Sequence, residues 1–454
     1  MTARPFPPGP STFAAMRGMG GGGSLHRVPA FLSGVSQAYG PIASWHMMRG
    51  RFWFVDDAGL IETLMTASGY DVVKGRGLRR MRRLLGLGLL TSDEPLHLKQ
   101  RRLVQPAFHR ERVAGYAATM ISAARRTAEA LRDGETVAID GLMNRLALRI
   151  AAATLFSADI DDDADTIGSA VNEALAIFPA SLSAFSELLD HVPFHPATRR
   201  ARSARAKLDG VMYRLIDERR REGVDRGDLL SMLLTSRDED GAPMPDELVR
   251  DEALTLLLAG HETTANALTW AWDALARSPQ VEARLHAELD AVLGDRDPAP
   301  ADVPHLRFTR DVIAETMRIR PPAWILGRRV IRPFKLGEWE LAPGSVVLAS
   351  QIVTHRNPRY WNDPNAFRPE RWSNGETDAL PKYAYFPFGG GTRICIGESF
   401  AWTEAVLVLA TLAHRHRFHL TDETEVPLDP LVTLRPGRPI TMKVEIRHPA
   451  RIPA

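Results

Sequence analysis

Phe388-Gly389-Gly390-Gly391-Thr392-Arg393-Ile394-Cys395-Ile396-Gly397 is the stretch on which the reading of this chain turns. It holds the only cysteine of the sequence, set among glycines and followed by a helix-forming run from Glu398 to about His416. Backbone N–H groups of a glycine-permitted loop, with the positive end of a helix beginning near Glu398, lower a thiol pKa and hold a fixed anionic sulfur. Those conditions suit a metal ligand or a nucleophile, whereas a buried cysteine elsewhere is most often a small apolar core residue.

Around this loop stand 454 residues with 57 Lys plus Arg against 55 Asp plus Glu, a net charge of +2. Charge this close to balance gives no field able to hold a nucleic acid backbone, so no nucleic acid partner is expected. A composition 44% hydrophobic and 25% charged, at this length, buries a large core. One thiol makes no internal disulfide, and with no secretory signal at the start the chain reads as cytoplasmic. The longest apolar runs, Leu254 to Ala259 and Ala405 to Leu412, fall short of the roughly 20 residues that cross a bilayer, so no integral membrane segment is expected.

Residues 1–30 combine Pro5-Phe6-Pro7-Pro8-Gly9-Pro10 with Gly20-Gly21-Gly22-Gly23-Ser24 and read as a flexible lead-in without regular helix or strand. The glycine run lacks the Gly-Lys-Ser/Thr of a phosphate loop. Residues 31–454 read as a single domain. Ile42 to Val55 suggests a strand pair, and the stretch from about 95 to 320 is overwhelmingly helical, with apolar residues at three and four spacings. A long helix starts near Pro245-Asp246 and runs to about Arg277, where Ser278-Pro279 stops it. Beyond Pro321-Pro322 the texture changes to short strands and turns. The fold class expected is mainly α with small β-sheets (α+β).

The middle of the long helix reads Ala259-Gly260-His261-Glu262-Thr263-Thr264. His261-Glu262 hints at a zinc protease, but that motif needs a second histidine where this chain has Ala265. A glycine inside a helix costs roughly 0.5–1 kcal/mol relative to alanine. A threonine there bonds back to the carbonyl four residues earlier and distorts the turn. Two such penalties in one turn point to a purpose.

The spacing Phe-x-x-Gly-x-Arg-x-Cys-x-Gly resembles the heme-ligand loop of the cytochrome P450 family, and the resemblance extends from about residue 40 to 440. It implies heme b (iron protoporphyrin IX) between the long helix and the cysteine loop. On that reading Cys395 is the thiolate ligand, Phe388 packs against the loop, Arg393 reaches a heme propionate, and the glycines, Gly397 among them, let the backbone approach porphyrin and sulfur. A thiolate pushes electron density onto iron, and an arginine fork pairs well with a carboxylate. Ala259 and Gly260 would leave room above the iron, with Glu262 and Thr263 as the acid and alcohol that relay protons. Glu315 and Arg318 lie three apart on one helix, and Phe367-Arg368-Pro369-Glu370-Arg371-Trp372 resembles the family segment whose arginine, here Arg371, completes a buried cluster with them. His97 and Arg101, four apart, resemble a propionate-binding pair. Arg328 would meet the other propionate, with Arg329 beside it leaving that assignment open.

The activity implied is a monooxygenase that puts one atom of O2 into an apolar substrate by hydroxylation or epoxidation. Its pocket would be built from about 70–95, Ala174 to Val192, the long helix, Ala323 to Leu326 and a turn near Leu431. Pro322-Ala323-Trp324-Ile325-Leu326 is similar to bacterial members that hydroxylate carotenoid rings, which places terpenoids or carotenoids ahead of fatty acids and steroids. Electrons would come from a separate ferredoxin or flavodoxin type donor, with Lys99, Arg101, Arg102, Arg110 and Arg112 as a docking face, and the protein would be a monomer. The alternatives are a peroxide-driven or isomerising heme-thiolate enzyme, whose relatives usually lose the Glu-Thr pair, and a non-catalytic heme sensor.

Overall fold

The computed structural model describes residues 6–19, 25–47, 50–159, 163–181, 196–237 and 241–448. The chain begins with α1 (Thr12–Gly18), α2 (Val28–Tyr39), β1 (Ile42–Met47), β2 (Gly50–Val55), α3 (Ala58–Thr66), β3 (Val72–Lys74), α4 (Arg76–Arg80) and α5 (Arg82–Leu85). The helical centre follows as α6 (Leu96–Val104), α7 (Arg110–Ala130), the short β4 (Thr136–Ala138), α8 (Ile139–Leu155), α9 (Ala164–Ser181), α10 (Pro196–Glu222), α11 (Leu229–Thr235) and α12 (Asp246–Ala276). Then come α13 (Pro279–Leu293), α14 (Arg307–Ile319), β5 (Leu326–Val330), β6 (Phe334–Leu336), β7 (Trp339–Leu341), β8 (Val346–Ala349) and α15 (Gln351–Thr354). Helix α16 (Glu398–Arg415) and β9 (His416–Leu420), β10 (Leu428–Pro430), β11 (Leu434–Pro436) and β12 (Thr441–Ile446) complete it.

The lead-in is not free of regular structure. The Ser11 side chain accepts the Ala14 N–H and caps α1, and α2 already starts at Val28. Proline and glycine dominate the segment, but the short window between them carries a capping serine and helix-forming Ala14-Ala15-Met16, and locally that suffices. Residues 20–24 lie outside the described residues.

Helix α12, 31 residues long, spans the molecule. Pro245 precedes it, and Asp246 and Glu247 in its first turn complement the positive end of the helix. It packs against α8, α14 and α16 and is buried on nearly every side, so leucines such as Leu254, Leu257 and Leu268 each contribute about 1.5–3 kcal/mol of burial. One stretch breaks the pattern: Ala259 is exposed, and Leu258, Gly260 and Thr263 are half-buried, between fully buried turns. The helix thus carries one accessible stretch midway along an otherwise enclosed length.

The main sheet runs β1-β2-β8-β5-β3, with β2 parallel to β8 and the other neighbours antiparallel. Its edge matters most for the site: β3 meets β5 with Lys74 opposite Arg328 and Val73 opposite Arg329. Alternation along β5 turns Arg328 inward and Arg329 to solvent.

Candidate functional site

The cysteine loop is tied at its base by the Cys395 N–H, which donates to Phe388 O at 2.9 Å. The Phe388 ring packs on Trp402 of α16, centroids 5.9 Å apart. Gly391 has φ +63°, and a Cβ there would come within 1.9 Å of Met65 O, so both conformation and space demand glycine. Cys395 keeps an open side-chain surface although protein closes in around it. Burial pushes its thiol pKa up, against the pull of the Gly397 N–H and the Arg101 guanidinium, and the Glu398 carboxylate adds to the rise. The expectation that this loop lowers the thiol pKa is thus corrected: desolvation outweighs the N–H groups and the helix end. A cation bound to the sulfur would supply the anionic form, since a coordinating thiol is deprotonated outright.

A group of cations surrounds the loop. Arg393 donates to Ser92 O at 3.1 Å and pairs with Glu94 at 3.2 Å; Glu94 also meets His97 Nδ1 at 2.9 Å. Arg101 donates to Ile394 O at 2.8 Å, one residue before the sulfur. Among the described residues the inward Arg328 finds only Gly327 O, at 3.3 Å, and Lys74 Nζ donates to Leu89 O at 2.7 Å. Desolvation, then the neighbouring Arg393 and Arg328, depress Lys74 to about 6; desolvation, then Arg393, lowers Arg328 to about 10; His97 falls to about 4 from burial, then Arg393 and Lys74. Like charges directly opposite on paired strands are destabilising. Among the described residues neither Lys74 nor Arg328 has an acid at ion-pair distance.

On α12, Glu262 and Thr263 point different ways, as neighbours on a helix do. Glu262 is buried and accepts from Arg435 Nε at 2.8 Å and from the Thr433 hydroxyl; Asn266 Nδ2 donates to that hydroxyl at 3.1 Å. Thr263 lies on the open stretch and its hydroxyl donates to Ala259 O at 2.7 Å. A Cβ on Gly260 would face α8, 3.8 Å from Ala151 and 4.0 Å from Leu155, at ordinary contact distance. The room that Gly260 leaves is therefore toward α8.

Glu315 and Arg318 of α14 are fully buried and Arg371 is 1% exposed. Arg318 engages both Glu315 oxygens at 2.8 Å, Arg371 Nε donates to Glu315 at 3.0 Å, and the Arg368 N–H and Trp372 Nε1 add bonds at 3.0 and 3.1 Å. The structure thus joins Arg371 to residues more than fifty positions earlier.

Cys395, Arg393, Arg101, His97 and Arg328 come together with Lys74; Glu262 forms a second group with Thr433, Asn266 and Arg435, from which Thr263 turns away; Glu315, Arg318 and Arg371 form a third. Lys74, Thr433 and Arg435 escaped the sequence reading. Lys74 had a weak signal, a lone cation closing the apolar run Val72-Val73, and Arg435 had none. Of the five residues named for a docking face, Arg101 is engaged with the cysteine loop and Arg112 with Gly227 O. The side chains of Ala174 to Val192, named as a pocket wall, lie outside the described residues. Trp324, of another named wall, is buried and donates to Leu431 O at 3.1 Å.

These donors fit a flat metal cofactor bearing carboxylates. The open sulfur can take a cation, and beside it Lys74 and Arg328 have no acid at ion-pair distance among the described residues, whereas Arg393 is already paired with Glu94.

A family model described as Cytochrome P450 matches residues 7–444. The chain is 40% identical to cyclooctatin synthase of Streptomyces melanosporofaciens, covering 85% of this chain and 84% of that one. It is 38% identical to cyclooctat-9-en-7-ol 5-monooxygenase of the same organism, over 76% and 75%. It is 35% identical to pentalenene oxygenase of Streptomyces avermitilis, over 82% and 83%.

Proposed function

The chain belongs to the cytochrome P450 family and is an oxidoreductase of the monooxygenase type, and from that premise we propose that it inserts one oxygen atom of O2 into a cyclic terpenoid. Cys395 is the ligand of heme b, and Arg328, Arg393, Arg101, His97 and Lys74 hold its carboxylates. When bound, the heme supplies the redox-active iron, made electron-rich by the sulfur. The chain's own part is to exclude water, orient substrate and deliver protons. The Thr263 hydroxyl gives its hydrogen to Ala259 O and so turns a lone pair toward the open face of α12. Glu262, pinned by Thr433 and Arg435, has to leave one of them to hand on a proton. Glu315, Arg318 and Arg371 brace the fold behind the site.

The substrate class is supported by the relatives named for pentalenene and cyclooctat-9-en-7-ol and by the apolar segments expected to wall the pocket. Electrons come from a separate donor of ferredoxin or flavodoxin type. The protein is a cytoplasmic monomer whose single domain also takes in α1 and α2, since Ala15 and Val28 pack in one core cluster with Trp45 and Leu434; no helix among the described residues is long and apolar enough to cross a membrane.

The observation that carries this reading is the inward-facing pair of Lys74 and Arg328, without an acid at ion-pair distance among the described residues, near the open Cys395. The test is the spectrum of the dithionite-reduced, carbon monoxide-bound protein: a thiolate-type Soret band supports it, and Cys395→His should abolish that band. A thiolate band that survives the substitution would remove Cys395 as ligand. Thr263→Ala should keep the band but divert most reducing equivalents to peroxide or water.

A further inference from the structure

Between α5 and α6 the loop Gly86-Leu87-Gly88-Leu89-Leu90 lies on the N-terminal half of α12, and side chains read its backbone. The Leu87 N–H donates to Asp251 Oδ2 at 2.6 Å and the Leu89 N–H to Glu252 Oε2 at 3.0 Å. Both carbonyls are taken as well, Leu87 O by Gln100 Nε2 at 2.6 Å and Leu89 O by Lys74 Nζ at 2.7 Å. Arg250, fully buried, aligns Asp251 at 2.8 Å, donates to Leu84 O at 2.9 Å and pairs with Asp209 of α10. Both glycines are needed for this fit. A Cβ on Gly86, whose φ is +62°, would sit 1.9 Å from Asp251 Oδ2, and one on Gly88 would sit 2.2 Å from Thr255 Oγ1.

Glu252, Thr255, Ala259 and Thr263 follow one another at helical spacing along a single stripe of α12. The loop covers this stripe as far as Thr255 and stops there; the next turn, at Ala259, is open. Beneath the loop, Glu252 Oε1 and Thr255 Oγ1 are buried without a hydrogen-bond partner among the described residues.

We propose that Asp251 and Glu252 are positioning residues that latch the 86–90 loop against α12 as one wall of the substrate pocket, and that release of this latch admits bulky apolar molecules. This rests on the reading of Ala259 to Thr263 as the substrate-facing stretch. Glu252 gives the latch a pH dependence. Burial beneath the loop pushes its pKa up to about 7; the like charge of Asp251 adds to this, while the Leu89 N–H and Lys74, facing it from β3, pull it down. Opening hydrates the carboxyl and returns it toward the ordinary carboxylate range. The latched form therefore holds a proton that the released form gives up, and release becomes easier as pH rises through 7.

The test uses the heme-loaded full chain, with imidazole and 4-phenylimidazole as small and bulky probes of the pocket, and amide exchange at Leu87 and Leu89. The association rate of neutral 4-phenylimidazole should rise about tenfold between pH 6 and pH 8, the linkage for a carboxyl at about 7 when latched and ordinary when released. The rate for neutral imidazole should stay flat. Exchange at Leu89, corrected for intrinsic rate, should follow the bulky probe. Glu252→Gln, which keeps an acceptor for the Leu89 N–H, should abolish the pH dependence; Glu252→Ala should speed both bulky-probe entry and Leu89 exchange at every pH.

Unprotected Leu87 and Leu89 amides in the unsubstituted protein would overturn the latch, as would a pH dependence that survives Glu252→Gln. Protected amides with bulky-probe rates unchanged by Glu252→Ala would overturn the loop's place in the pocket wall. Absence of any azole spectral shift would strike instead at the heme reading, leaving the exchange result to judge the latch.

Discussion

Two buried charge clusters in this protein are balanced differently. At Glu315 two arginines meet the carboxylate, and a second acid, Glu376, reaches Arg371 at 3.3 Å. The remaining Arg318 donors go to the carbonyls of His355, Pro364 and Ala366 at 2.7–3.0 Å. At the β3–β5 edge Lys74 and Arg328 stand opposite each other, both turned inward and both depressed by burial and by their cationic neighbours. The first cluster is complete within the chain. The second leaves Lys74 and Arg328 with no acid at ion-pair distance among the described residues, a cost that an anion from outside would relieve. Charge balance thus separates a brace from a binding site, although both are rich in arginine.

Substitutions should move the two clusters in opposite directions. Glu315→Ala leaves two guanidinium groups buried without their main carboxylate and should cost about 3–5 kcal/mol, with or without heme, measured by urea unfolding of both forms. A cost confined to the heme-loaded form would show that this cluster, too, belongs to the cofactor.

The next effect is a pH slope. Lys74 sits near 6 when folded and near 10.4 when unfolded. The cofactor-free protein should therefore gain stability as pH rises from about 6 to 10, by at most ~1.4 kcal/mol per pH unit. The penalty is fully present below the folded value and relieved above it. Lys74→Met should remove the slope. Heme loading should flatten it, since carboxylates at the site hold the ammonium; an unchanged slope in the loaded protein would place the anion elsewhere.

Arg328→Met should stabilise the cofactor-free protein by about 1–3 kcal/mol yet speed heme loss to apomyoglobin. Loss of stability in both forms would make Arg328 part of the brace. The smallest effect is expected next door: Arg329→Ala, at an exposed position, should change stability by less than about 0.5 kcal/mol and leave heme retention as it was.

Much of this was legible before any coordinates. The long helix came from Pro245-Asp246 at its start and Ser278-Pro279 at its end, both local signals, and its observed span of Asp246–Ala276 matches the reading to within a residue or two. Glu315 and Arg318 share a helix face by spacing alone. The short α1 was lost because proline and glycine on either side outweighed six residues of good helix sequence. Lys74 was passed over because a lone lysine at a strand end is ordinary until its cross-strand partner is known.

The sequence by itself determined the family, the cysteine loop, the helix that faces it and the residue types able to hold a carboxylate-bearing metal cofactor, because each is written in contiguous residues whose spacing survives without a fold. Tertiary structure alone decided that Arg328 and not Arg329 turns inward, that Lys74 stands opposite it, and that the partner of Glu262 is Arg435, 173 residues away. It also decided that the thiol of Cys395 is pushed up rather than down. These outcomes depend on strand register and on desolvation, and both are properties of which distant segments lie against one another.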